Sequence, residues 1–358
     1  METESKFYDI HETLAMRDAD GEEPEIIFIA SRGRGIGKTF SITKYLFEEV
    51  FLEKKRRFVL FCRNKLELGS VSEGMFKSML DFCHPQYRMY ETIQMKGVYS
   101  NIFVETGDGE EKTKEICGYV IPLASAPQIK RISSMFSDAD IGFFDEIIPD
   151  YKSTYISDEI DKFLSEVTSI ARGNGESRRR FPVIAASNCI DIFNPYYKGC
   201  GASRQIRSNT KKTKGHGWVF HRVERAQIAE EHAAMGINKA FSHYKSIDFS
   251  DNSWINDDGN CILPDPKGLG RAWYYCTLRC GKYSYAIKEY PESRIYYVDY
   301  NVDESEKMVF NVLSDNMEPN IPLIKGSLTM QTLKRAFENG IVRFKDNGCK
   351  SALMEIFL

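Results

Sequence analysis

An apolar run that breaks into alternating glycines and then resumes at helical spacing constrains this chain more than any other feature. The stretch is "IFIASRGRGIGKTFSITKYLF", Ile27 to Phe47. Glu25 to Ser31 reads as a short buried strand. Lys38 to about Lys55 reads as an amphipathic helix with Phe40, Tyr45, Leu46, Phe47 and Val50 apolar. Between them, Gly33, Gly35 and Gly37 let the backbone take positive φ and approach a ligand closely. Unpaired N–H groups at the start of a helix make such a turn an anion site. Lys38 adds a cation for outer phosphates, and Thr39 a hydroxyl suited to Mg2+. The phosphate-loop pattern G-x-x-x-x-G-K-[ST] is met at Gly37-Lys38-Thr39, but Arg32 stands at the first glycine position. That departure changes the approach to the turn more than its cradle.

About 100 residues further on, Ile141 to Phe144 form an apolar run ending in Asp145-Glu146. A carboxylate at such a strand tip faces the loop and holds Mg2+, the role expected of Asp145. Glu146 is placed to polarise an attacking water as general base. A third apolar run, Pro182 to Ser187, ends in the polar pair Ser187-Asn188, which can sense an outer phosphate. Together the three elements predict ATP hydrolysis coupled to movement. The N-K-x-D motif expected of a guanine reader was not found.

Strand-length runs alternate with helix-period segments through the first ~190 residues, which predicts a mostly parallel sheet covered by helices. Further strands are expected at Phe58 to Cys62 and Gly118 to Leu123. A helix is expected over Ser157 to Ala171, with Ile160, Phe163, Leu164, Val167 and Ile170 apolar. The fold class is therefore α/β, a P-loop ATPase domain of the ASCE type, followed by a smaller α+β domain. The boundaries read as 1–225 for the motor, 226–258 for a linker with a helix-like start at Ala226 to Phe241, and 259–358 for the aromatic-rich C-terminal domain.

Composition excludes several classes. No window approaches the ~20 apolar residues of a membrane helix, and the acidic N-terminus is unlike a targeting peptide, so a cytoplasmic protein is expected. Most of the nine cysteines sit in apolar contexts and read as reduced. Cys276 and Cys280 lack the second pair a zinc site needs. A net charge of −3 restricts nucleic-acid contact to local clusters, Arg178 to Arg180 and Arg204 to Arg225.

"RGRGIGKT", "GFFDE" and "ASN" resemble the motor of viral large terminases. The wider set "FCRNKLEL", "GYVIPLA", "SNCIDIFNPYY" and "FENGIVRF" resembles the DNA-packaging (encapsidation) ATPases of small podophages with terminal-protein-capped genomes. The resemblance implies a homomeric ring, usually a pentamer, docked on the capsid portal in the host cytoplasm and driving double-stranded DNA inward. It leaves open whether a packaging RNA takes part. It implies that Arg34 lies near the phosphates and that a trans-acting arginine is Arg172, with Arg178 to Arg180 competing. Arg63 and Lys65 match basic family positions near the nucleotide or a subunit contact, and Tyr8 matches the adenine side. The C-terminal domain would be a vestigial RNase H-like nuclease fold, with Asp299 central and Asp303, Asp346 and Glu355 as other carboxylates. Lys211, Lys212 and Lys214, read as a polar pore-facing loop, are the expected DNA contacts, with Lys334 and Arg335 a weaker pair. Rival readings are another ring translocase or helicase, a cleaving terminase, and a nucleic-acid scaffold with a decayed ATP site.

Overall fold

A computed structural model of the chain describes residues 7–31, 35–106, 113–149, 155–172, 179–189, 192, 194–206, 210–224, 231, 234–236, 240, 261–280, 283–312, 320–346, 348–350 and 353–354. The chain divides into two compact units, Met1–Asp191 with Asn209–Ile255, and Ile192–Ser208 with Asn256–Leu358. Most of the expected linker, 226–258, lies outside the described residues. No helix among those described is long and apolar enough to cross a membrane.

The larger unit is built on nine strands: β1 (Ile26–Ser31), β2 (Arg57–Cys62), β3 (Tyr87–Gln94), β4 (Tyr99–Thr106), β5 (Thr113–Pro122), β6 (Ala139–Phe144), β7 (Val183–Asn188), β8 (Lys212–Gly215) and β9 (Trp218–Val223). Their order is β3-β4-β5-β2-β6-β7-β1-β9-β8. The six from β5 to β9 run parallel, and antiparallel partners close both edges. The inner strands β1, β2, β6 and β7 are apolar on both faces, as a sheet covered on both sides demands.

Five α-helices are described in this unit: α1 (His11–Leu14), α2 (Lys38–Tyr45), α3 (Val71–Cys83), α4 (Ala126–Ile132) and α5 (Glu159–Ala171). Helix α2 continues directly into π winding over Leu46–Glu53, so the single helix read from the sequence keeps its extent but changes pitch. One sheet face buries Ile27, Ile29, Leu60, Phe143 and Ile184 with Leu46, Phe47 and Phe76 of the first helices. On the other face Phe163 of α5 packs against Phe61 and Phe144, with ring centres 5.7 and 6.2 Å away.

Three sequence expectations need correction. Strands β3 and β4 were not anticipated, because their exposed positions dilute the apolar signal. Lys212 and Lys214 lie on an edge strand, not in a loop, since β8 pairs with the fully buried β9. On α5, Leu164, one of the apolar positions at helical spacing, is 53% exposed, whereas Glu166 is 0% exposed.

In the smaller unit, β10 (Trp273–Cys280), β11 (Tyr283–Tyr290) and β12 (Ile295–Asp299) form an antiparallel meander. β13 (Val309–Asn311) and β14 (Val342–Phe344) flank it, each parallel to its neighbour. Helix α6 (Pro195–Gly199) begins at Asn194, whose side chain accepts the Tyr197 N–H. Helix α7 (Leu328–Glu338) is capped by Ser327, which accepts the Met330 N–H at 3.0 Å. Leu333 and Ala336 of α7 join Leu278, Ile287, Val298 and Phe344 in the core.

Candidate nucleotide site

Parallel strands bring their carboxyl ends to one edge, where ligands meet open α/β sheets. On that edge Ser31 pairs with Asn188, and Phe144 pairs with Ala185 of the intervening β7. The result is a cleft of about 330 Å³ lined by Ser31, Gly35, Gly37, Lys38, Thr39, Asp145, Glu146 and Asn188, among others. Residues from three distant stretches of sequence thus meet in one place.

Gly35 and Gly37 have φ of 80° and 86°, a left-handed backbone that favours glycine. Gly37 caps α2, leaving the first N–H groups of that helix directed at the cleft. Gly33 and Arg34, with Arg32, lie outside the described residues. Lys38 is only 9% exposed. Its ammonium donates to the Ser31 hydroxyl at 3.1 Å and to the Ser187 carbonyl at 2.6 Å. Ser31 was not singled out from the sequence, although it is the last residue of the strand feeding the loop. The expected Ser187-Asn188 pair divides: Asn188 lines the cleft, while the Ser187 hydroxyl is buried and has no partner among the described residues.

The Thr39 hydroxyl donates to Asp145 at 2.8 Å. Both are hard oxygen donors, a pairing that suits Mg2+, which is commonly held by one or two protein groups plus phosphates and water. Among the described residues no cluster of three or more His, Cys, Asp or Glu could hold a metal alone. The donor set therefore fits a nucleotide-borne Mg2+.

Glu146 is exposed at the cleft with φ of 53°, left-handed for a residue with a Cβ. Two groups hold it there. Its N–H donates to the Asp145 carboxylate at 3.0 Å, and Arg63 grips the backbone. The Arg63 guanidinium donates to the carbonyls of Glu146 and Ile147 at 2.7 and 2.5 Å, and to the Glu159 carboxylate at 3.2 Å. Glu159, at the first turn of α5, also accepts the Ile156 N–H at 2.9 Å. The sequence marked Arg63 only as a basic residue near the site; its position just past β2 supplies the reach.

Beside the phosphate cleft, and sharing Gly37 and Phe40 with it, lies a more apolar cavity of about 630 Å³. Phe7, Tyr8, Phe40, Tyr45 and Phe82 line it. The N-terminal strap crosses the loop here, with the Tyr8 N–H donating to the Ile36 carbonyl at 3.0 Å. Tyr8 is 3% exposed, its hydroxyl 2.6 Å from that of Thr13. Phe7 is 51% exposed and packs on Gly37. His11 lines the same cavity between Asp9 and Glu49, at 2.7 and 2.6 Å. The hydrogen bond to Asp9, more than the one to Glu49, raises its pKa.

The arginines separate by environment. Arg172, just beyond α5, is exposed, and its side chain has no hydrogen bond or ion pair among the described residues. Arg179 donates to the carbonyls of Ala139, Phe136 and Ile170, which ties the end of α5 to the start of β6. Arg180 pairs with Glu23 at 2.7 Å and donates to the Pro24 carbonyl. Arg178 lies outside the described residues. Since α5 has 13 residues, Arg172 is about 20 Å from the Glu159 end.

Of the three lysines, Lys211 pairs with Glu224 at 3.4 Å and Lys214 donates to the Asp18 carbonyl at 3.0 Å. Lys212 is exposed on β8 with no such partner among the described residues. In the smaller unit Asp299 is buried against Lys288 at 2.8 Å, and Asp346 accepts the Tyr300 hydroxyl at 2.8 Å. Asp303 caps its own turn at Ser305. These carboxylates are engaged separately, and Glu355 lies outside the described residues.

The family model of the podovirus DNA encapsidation protein (Gp16) matches residues 5–358. The chain belongs to that family. A chain of the bacteriophage Phi-29 viral genome packaging motor assembly shares the fold of this encapsidation-family chain at TM-score 0.65 and 20% identity, over 99% of both chains. The Phi-28 gp11 DNA packaging motor shares it at TM-score 0.59 and 19% identity, over 98% of this chain and 97% of that one. Among curated proteins none matches the chain.

Proposed function

We propose that this encapsidation-family chain is an ATP-driven motor that moves double-stranded viral DNA into a preformed capsid, acting as a homomeric ring at the portal. The observation that carries the reading is the meeting of Lys38, Thr39, Asp145, Glu146 and Asn188 at one sheet edge. The insertion of β7 between the loop strand β1 and the carboxylate strand β6 supports an ASCE-type P-loop assignment.

ATP enters with its base against Phe7 and its phosphates on the N–H groups of the Gly35–Thr39 turn. Lys38 exchanges its bonds to Ser31 and Ser187 for phosphate oxygens, so nucleotide binding loosens β7 from the loop. Thr39 and Asp145 would hold Mg2+, which would offset charge on the outer phosphates. Glu146 takes a proton from the attacking water, and Arg63 keeps its backbone in the left-handed conformation that aims the carboxylate. Asn188 senses the outer phosphate from the tip of β7. Arg172 completes the site of a neighbouring copy, a reading supported by its exposed position about 20 Å along α5 from Glu159, while Arg179 and Arg180 are committed to their own fold. Lys212 is the member of the lysine trio left to meet DNA phosphates. The smaller unit is read as a reduced RNase H-type fold, supported by its antiparallel meander with β13 parallel beside β10.

The test is ATP hydrolysis against protein concentration, with and without duplex DNA. Hydrolysis that rises with both and vanishes in Glu146→Gln is expected. Arg172→Ala chains should regain activity when mixed with Glu146→Gln chains. A protein that binds DNA but never hydrolyses ATP, even with portal-bearing procapsids, sinks the reading.

A further inference from the structure

The larger cavity beside the phosphate cleft is lined by the N-terminal strap and by α2 with its π-wound continuation. Two bonds tie the strap at its loop end, from the Tyr8 N–H to the Ile36 carbonyl at 3.0 Å and from the Ile10 N–H to the Ser41 hydroxyl at 2.8 Å. A third tie, to the π winding, is the imidazole of His11 at the start of α1. Its Nδ1 lies 2.7 Å from an Asp9 oxygen and its Nε2 lies 2.6 Å from a Glu49 oxygen. An ionised carboxylate only accepts and a neutral imidazole has a single N–H, so making both bonds requires the imidazolium.

We infer that His11 is a positioning residue for the nucleotide base: its imidazolium clamps the strap to Glu49, and loss of the proton releases the strap that lines the base cavity. The inference rests on the nucleotide-site reading above and adds to it a dependence of base binding on pH. Asp9, two residues away, also accepts the His11 backbone N–H at 3.0 Å, so it keeps Nδ1–H in either charge state. The bond given up on deprotonation is then the long-range one to Glu49. Lys44 of α2 acts on Asp9, and Tyr45 meets the His11 ring edge-on with centres 6.1 Å apart. Glu48, beside Glu49, is engaged by His84 at 2.8 Å and lies 3.9 Å from Lys44. The hydrogen bond to Asp9, followed by that to Glu49, raises the pKa of His11 from its ordinary 6.5. The clamp is therefore closed below pH 6.5 and opens as pH rises through the raised value.

Equilibrium binding of ATP, and of inorganic tripolyphosphate as a ligand without a base, to the full chain with Mg2+ between pH 6 and 9 tests this. Because the His11 side chain is 57% exposed, the effect is a few-fold rather than large. His11→Ala should bind ATP about threefold more weakly than wild type at pH 6 and equally at pH 9, while tripolyphosphate binds both proteins alike. Taking the ratio of the two proteins at each pH cancels the titration of the ligand itself. His11→Arg, a cation at every pH with donors for both carboxylates, should carry the pH 6 affinity ratio through to pH 9. A His11→Ala ratio that is the same at both ends of the range overturns the clamp and leaves the nucleotide site standing, as does a His11→Arg chain that behaves like His11→Ala. An equal effect on tripolyphosphate places the action of His11 on the phosphate loop and overturns its role at the base. Wild-type chain that binds neither ligand removes the nucleotide-site reading, and this inference with it.

Discussion

Replacing Glu166 tests how the α5 layer is held together. Glu166 occupies the buried side of the helix with Glu159, Phe163 and Ile170, and neither carboxyl oxygen has a hydrogen-bond partner among the described residues. Burial alone lifts its pKa well above the ordinary 4.5. The folded state therefore keeps the proton while the unfolded chain releases it. The stability this group contributes is fully present below pH 4.5 and is lost as pH rises toward the folded pKa, by about 1.4 kcal/mol per pH unit. Unmet hydrogen-bonding capacity adds a cost of about 1–3 kcal/mol at every pH. Glu166→Met, similar in length and apolar, should remove both terms and stabilise the larger unit by roughly 2 kcal/mol or more at pH 7. Glu166→Gln should remove only the pH-dependent part. Urea midpoints between pH 5 and 8, followed by circular dichroism, read this directly. If Glu166→Met is less stable than wild type at pH 8, or if Glu166→Gln keeps the wild-type slope, the carboxylate is ionised and paired and the reasoning fails.

Glu146→Gln should bind ATP as wild type while hydrolysis falls about 10²-fold or more, checked by nucleotide affinity alongside single-turnover rates. Arg63→Lys loses the two-pronged grip on the Glu146 and Ile147 carbonyls. It should lower kcat about tenfold or more with little change in ATP affinity, and an unchanged kcat would remove its positioning role. Phe7→Ala should raise the KM for ATP several-fold; Tyr8→Phe should leave KM alone and cost about 1 kcal/mol of stability through the lost Thr13 bond. Lys212→Ala should flatten the log–log salt dependence of DNA binding by about 0.9, whereas Lys211→Ala and Lys214→Ala should change it little.

The nucleotide cleft was legible because its chemistry is local to each strand end. Gly37-Lys38-Thr39, Asp145-Glu146 and Asn188 each sit where an apolar run stops, and a parallel sheet aligns such ends. The β3–β4 pair escaped because alternation on a half-exposed sheet face resembles loop composition. Residues 211–214 read as a loop because lysines on an edge strand look like solvated coil, although charge there also blocks unwanted pairing. On α5 the polarity signal pointed the wrong way: Leu164 and Glu166 sit two positions apart, and only packing decides which turns inward. Tyr8 and Phe7 posed the same problem, since neighbouring aromatics in an extended strap face opposite ways, and the Thr13 hydroxyl claims the tyrosine.

Helix α5 also sets a phase. It joins the anchored Glu159 to Arg172 through 13 helical residues without a break. Inserting one residue would turn everything beyond it by about 100° and advance it by about 1.5 Å, carrying the arginine off the exposed face it shares with Leu164. Inserting four would nearly restore the facing and overshoot by about 6 Å. The segment behaves as a ruler with a keyed end, so added or lost residues are tolerable in the loops around it but not within its span.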